Sequence, residues 1–263
     1  MRRVLIILLS LSIYIFISCE EVIDVNLNDT SPVLVAEGSI MLNDICHIRL
    51  SYTSDYFDSD SASIEENAII SIADSEERSE ILEYNGAGYY SGNTITGLPG
   101  HIYTLTINVN NREYSARSAL NRQPVLLQLD YEKLDIPHYY EDTIYTIKSA
   151  IVDDRFEENY YLFRYYRNGE MLNDYYSTYS DRFISADTVV YSEYRLDFYR
   201  GDTVRVELYA IDQGIFNYFN LVNDVLFSAM SSSTPFNPIS NFNPGILGYF
   251  MASSFDSETI VIN

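Results

Sequence analysis

The chain has 263 residues, with 38 acidic against 16 basic side chains and a formal net charge of −22. That balance excludes a nucleic-acid binder, whose footprint on phosphate is basic, and a polybasic membrane-surface patch. Two cysteines exclude a disulfide scaffold, and the length allows one large domain or two modest ones.

Arg2 and Arg3 precede an apolar run from Val4 to Ile17, broken by Ser10, Ser12 and Tyr14. As a helix this run rises about 21 Å, short of a bilayer core of about 30 Å. Length and flanks fit a secretory signal over residues 1–18. The signal ends Phe16-Ile17-Ser18-Cys19, which resembles a bacterial lipobox, with Phe16 in place of the usual Leu. The resemblance implies cleavage before Cys19 and lipidation of its thiol, each buried CH₂ contributing about 0.8 kcal/mol of anchoring. Glu20 and Glu21 follow, with Asp24 nearby. That acidic patch resembles the surface-export signal of Bacteroidota lipoproteins. The expected location is therefore the outer membrane, lipid-anchored and facing outward, with residues 19–31 as an acidic tether.

Past Pro32, Val33 to Ala36 reads as a strand and Met41 to Asp44 as a turn. Cys46, Ile48, Leu50 and Tyr52 alternate with His47, Arg49 and Ser51, a half-buried strand. The alternation puts Cys46 inward and His47 outward, so they form no dyad. Residues 53–66 form an acidic loop with Asp55, Asp58, Asp60, Glu65 and Glu66; it lacks EF-hand spacing and reads as solvated rather than Ca²⁺-binding. Ala68, Ile70 and Ile72 alternate again. Asn85-Gly86-Ala87-Gly88 and Asn110-Asn111 signal hairpin turns. The turn spacing predicts an immunoglobulin-like β-sandwich over residues 32–119.

Asn121 to Pro124 reads as a linker. Strands are expected at 125–134, 143–152, 159–166, 189–199 and 203–210. Ile215, Phe219, Val222 and Leu226 change the period to that of an amphipathic helix, 212–230, with Asp212 as its N-cap. Closing strands follow at 246–253 and 259–262. Residues 125–263 are expected to form a mostly antiparallel β domain, sandwich or barrel-like, so the fold class is all-β with one C-terminal helix.

Tyrosine dominates this second region: the chain has 25 Tyr and no Trp. A tyrosine packs a ring and keeps a polar tip, which suits interfaces, although most here fill half-buried strand positions. Tyr175, Tyr176 and Tyr179, in a Ser/Asp/Asn-rich segment read as an exposed loop, are the candidate ligand or partner contacts. His47, His101 and His138 fall in no metal or nucleophile motif, and no G-x-S-x-G occurs. Asp153-Asp154 and Glu157-Glu158 read as an acidic turn rather than an acid–base pair. No metal, cofactor or catalytic residue is expected, and the chain reads as a non-enzyme. Asp-Thr-apolar triplets at Thr143, Thr188 and Thr203 resemble an O-glycosylation acceptor pattern, or simply open strands.

Longer motifs resemble one family: Asn159-Tyr160-Tyr161-Leu162-Phe163-Arg164, Gly201-Asp202-Thr203-Val204, and Asn237-Pro238 through Ser240-Asn241 and Gly245 to Leu247-Gly248-Tyr249-Phe250. Gly88-Tyr89-Tyr90 and Tyr103-Thr104-Leu105 add to it. This is a Bacteroidota group of outer-membrane lipoproteins, domain of unknown function 4249, commonly encoded beside TonB-dependent receptors. The resemblance implies an accessory binding lipoprotein of a TonB-dependent uptake system, partnering the receptor. A structural or adhesive surface protein of fimbrial-subunit type is the alternative, and a hydrolase ranks third.

Overall fold

A computed structural model of the chain describes residues 31–54, 62–134, 143–153, 156–182, 186–231 and 236–263. The first region forms β1 (Leu34–Met41), β2 (Ile45–Tyr52), β3 (Ile69–Asp74), β4 (Ser79–Ile81), β5 (Glu83–Gly86), β6 (Tyr89–Thr96), β7 (Ile102–Val109) and β8 (Arg112–Ala119). The second forms β9 (Leu126–Lys133), β10 (Tyr145–Val152), β11 (Tyr160–Arg167), β12 (Glu170–Ser180), β13 (Thr188–Phe198), β14 (Thr203–Ile211), α1 (Gln213–Ser231) and β15 (Leu247–Val261). The all-β expectation with one late helix holds, and the sheets are open rather than closed into a barrel.

One sheet of eight strands runs through both regions in the order β12-β11-β14-β15-β1-β2-β6-β5. A four-stranded sheet, β4-β3-β7-β8, packs on one half of it and a three-stranded sheet, β13-β10-β9, on the other. The turns read from the sequence are where they were expected: Asn110 and Asn111 both take positive φ between β7 and β8, as a tight hairpin of matching twist requires. The segment after Glu77 divides, β4 pairing with β3 in one sheet and β5 with β6 in the other.

The two closing strands expected at 246–253 and 259–262 are one 15-residue strand, β15. Its first half pairs parallel with β1, Val35 opposite Leu247 through Met41 opposite Ser253. Its second half pairs antiparallel with β14, Ala210 opposite Ser254 through Thr203 opposite Val261. The last strand of the chain therefore belongs to both halves. Gly248, at φ +95°, permits the parallel contact: a Cβ there would lie 2.0 Å from the Ala36 carbonyl oxygen.

Among the described residues three clusters are buried. Between the first pair of sheets lie Ile40, Cys46, Ile48, Leu50, Ile72, Leu105 and, from the chain's end, Phe250. Between the second pair lie Ile147, Phe163, Tyr165, Phe198, Val206 and Leu208. The tyrosine pairs split as strand geometry demands: Tyr161 and Tyr165 point into this core, while Tyr160 and Tyr166 face outward. On the outer face of the long sheet, α1 sets Ile215 and Phe219 against Leu162, Tyr209 and Met251. Asp212 caps it as expected, its Oδ1 accepting the Ile215 N–H at 2.9 Å.

Candidate functional site

Cys19, Glu20 and Glu21 lie outside the described residues. So do Asp55, Asp58 and Asp60 of the acidic loop. The described Glu65 is buried, and its carboxylate accepts the Tyr52 hydroxyl at 2.5 Å and the Asn67 N–H at 2.8 Å. Among the described residues no group of three His, Cys, Asp or Glu stands close enough to hold a metal ion. Cys46 is buried and its neighbour His47 is exposed on the other face of β2. Burial pushes the Cys46 thiol far above its ordinary pKa, and the charge of Glu80 adds to the rise. Thr143, Thr188 and Thr203 are all exposed, the last two as the first residues of β13 and β14.

Tyr175, Tyr176 and Tyr179 are half-buried and sit on the edge strand β12, not in the exposed loop expected for them. The reason is tertiary. Locally the segment is polar, but β11 offers it an antiparallel partner and α1 a cover. The ladder between β11 and β12 is interrupted between Phe163 and Tyr165. There the buried Asn223 side chain stands in for a strand, its oxygen accepting the Tyr176 N–H at 3.0 Å and its amide donating to the Tyr176 carbonyl at 2.8 Å. The Tyr176 ring stacks on Phe219 with centroids 4.6 Å apart. Tyr179 packs against Tyr161 at 6.2 Å and Tyr191 at 5.5 Å. Burial, with the charges of Asp153 and Asp181, raises the Tyr179 hydroxyl to a pKa of about 12.

Tyr175 differs from the other two because it borders a cavity. β12 and β13 are free edges of the two facing sheets, and between them opens a groove of about 640 Å³. Its rings are Tyr175, Tyr199 and Phe227, and its aliphatic floor is Leu172 and Leu196. Its charges are Arg167, Arg195 and Asp197. Phe227 overhangs from α1, half exposed and 5.8 Å from the Tyr175 ring centre. The Arg195 guanidinium lies over Tyr175 at 4.2 Å from the ring centroid, and that of Arg167 over Tyr199 at 6.0 Å. Arg167 also donates to the Asp197 carbonyl at 3.0 Å. Among the described residues neither guanidinium pairs with a carboxylate, whereas Arg78, Arg205 and Lys148 each do. Burial raises the Tyr175 pKa, and the neighbouring Arg195 charge works against that rise. A groove of this volume is in the range that holds a small molecule. A second cavity, about 510 Å³, opens beside Asp153 and Phe156.

Sequence reasoning found Tyr175 but not Arg167, Arg195, Tyr199 or Phe227. These come from β11, β13, the turn after β13 and α1, and no spacing links them. The one local hint is Arg next to Tyr within a strand, in Tyr166-Arg167 and Tyr194-Arg195.

The residues of the longer motifs have structural work instead. Asn241 accepts the Phe250 N–H at 3.0 Å and donates to the Phe250 carbonyl at 2.7 Å, while the Ser240 hydroxyl donates to the Gly248 carbonyl at 2.6 Å. Together they pin the loop before β15 onto its shared half. Asp202 closes the turn before β14 by accepting the Tyr199 N–H at 2.9 Å. The sequence profile of a domain of unknown function (DUF4249) matches residues 20–259. The chain belongs to that family. The match covers every described strand except the final residues of β15. No curated protein matches the chain. The family's description assigns it no chemistry.

Proposed function

We propose that this chain is a surface-exposed outer-membrane lipoprotein that binds a ligand for a TonB-dependent uptake system and docks on its receptor. The groove between β12 and β13 carries this reading: it is a preformed recess with three rings and two guanidiniums that pair with no carboxylate among the described residues, in a chain otherwise dominated by acid. No helix among the described residues is long and apolar enough to cross a membrane, so the anchor in this reading is lipid on Cys19. The family match begins at residue 20 and so leaves the segment read as a signal, residues 1–18, outside it. Cys19 would then be the first residue of the mature tether, and Glu20 and Glu21 directly after it the export signal.

Fractionation and co-purification test this reading together. The wild-type protein should sediment with outer membranes after high-salt washing and bring a TonB-dependent receptor through purification in mild detergent. Cys19→Ala should release it, because the remaining apolar segment is too short to span a bilayer. A variant that stays membrane-bound removes the lipid anchor, and a pull-down without a receptor removes the transport role.

A further inference from the structure

We propose that the groove between β12 and β13 binds an organic monoanion, an apolar body ending in a carboxylate. The proposal deepens the binding role above and rests on it for its setting alone. Arg167 and Arg195 reach the groove from different strands, and each guanidinium lies over a tyrosine ring, at 6.0 Å and 4.2 Å from its centroid. Arg167 spends one donor on the Asp197 carbonyl and Arg195 one on the Tyr175 hydroxyl, and a guanidinium has five N–H donors, so each keeps others for a ligand. A planar fork with free donors matches a carboxylate through two parallel N–H···O bonds.

The charges around the groove favour a single negative charge. The lining holds two guanidiniums and one carboxylate, that of Asp197. Glu193 and Asp224 lie within electrostatic reach of the Tyr175 hydroxyl. Glu193 is already engaged, accepting hydrogen bonds from the Ser177 and Tyr191 hydroxyls and the Arg195 N–H. A carboxylate matches the one net positive charge of the lining itself. A phosphate monoester, at about −1.5 to −2 near neutral pH, exceeds it, and the nearby Glu193 and Asp224 charges, which hydrogen bonds do not cancel, weigh further against a dianion. The rest of the wall is apolar: Leu172, Leu196 and the overhanging Phe227. That surface suits a hydrocarbon or aromatic body and gives a small hydrophilic anion such as acetate little to bury.

Calorimetric titration of the full chain in non-ionic detergent tests this with three probes that share one body. They are 3-phenylpropionate, its amide, and 2-phenylethylphosphonate. The carboxylate should bind at least tenfold more tightly than the amide and more tightly than the phosphonate. Arg195→Gln and Arg167→Gln should each weaken the carboxylate at least tenfold and leave the amide unchanged. Arg164→Gln, whose guanidinium lies over Tyr209 and does not line the groove, should change nothing. Equal binding of carboxylate and amide, absence of binding by all three, or preference for the phosphonate overturns the proposal without reference to any variant's folding. Receptor co-purification is read separately. Its failure with probe binding intact removes the partnership and keeps the ligand class.

Discussion

Asp212→Ala probes how the last third of the chain is fastened to the first. One Asp212 oxygen caps α1 through the Ile215 N–H at 2.9 Å. The other accepts the Ser118 hydroxyl and the Ala119 N–H, both at the end of β8. Ser118 is buried, and its oxygen in turn accepts the Ala252 N–H of β15 at 2.8 Å. One carboxylate thus joins helix, first sandwich and shared strand. Losing an N-cap costs about 1 kcal/mol. Leaving the Ser118 and Ala119 donors without their acceptor adds about 2 kcal/mol, so Asp212→Ala should cost about 3 kcal/mol. Asn caps as well as Asp but accepts more weakly from Ser118, so Asp212→Asn should cost about 1 kcal/mol. Urea unfolding followed by circular dichroism reads both; at a slope of about 2–3 kcal/mol per molar the alanine midpoint should fall by about 1–1.5 M. An alanine variant within about 1 kcal/mol of wild type, or an asparagine variant as damaged as alanine, refutes the junction as described.

Three further outcomes follow from the same geometry. Tyr176→Ser and Tyr179→Ser should each destabilise by about 2 kcal/mol, as half-buried rings lose their stacking partners; Tyr175→Ser should cost less than about 1 kcal/mol while weakening groove binding, and equal thermal shifts for all three would contradict this division. The Cys46 thiol should label with a maleimide only on unfolding, and rapid labelling of the native protein would mean that β2 is in the wrong register. Burial alone would raise the Asp74 carboxyl, but hydrogen bonds from the Arg78 and Glu76 N–H groups, and the Arg78 guanidinium at 2.5 Å, leave its pKa below the ordinary value. The stability it contributes is therefore present above about pH 4 and lost as pH falls through the depressed folded value; the gap between wild type and Asp74→Asn in urea midpoint should close on acidification, and a gap constant from pH 7 to pH 3 would exclude this role.

What could be read from the sequence is what short-range physics fixes. Alternation placed Cys46, Ile48 and Leu50 inward, Asn110-Asn111 marked a hairpin, and the change of period located α1 with its Asp212 cap. Features set by partners distant in the chain were not legible. A 15-residue strand pairing parallel at one end and antiparallel at the other reads locally as two short strands, because Asp256 to Glu258 interrupt its apolar pattern. β12 reads as a loop because its own composition is polar, and Asn223, 47 residues away, supplies the bonds that hold it at Tyr176. The groove is less legible still, since Arg167 and Arg195 acquire meaning only when two free sheet edges bring them together.

The binding account is tested most directly by photo-crosslinking in living cells from position 227, where Phe227 overhangs the groove, with position 81 as the reference. Ile81 is 66 % exposed and lies on β4, in the sheet of the first region. A photoreactive phenylalanine at 227 should give an adduct with a TonB-dependent receptor that disappears in the Cys19→Ala background, while the same residue at 81 should give none. Receptor adducts from 81 but not from 227, or from neither, would contradict the account.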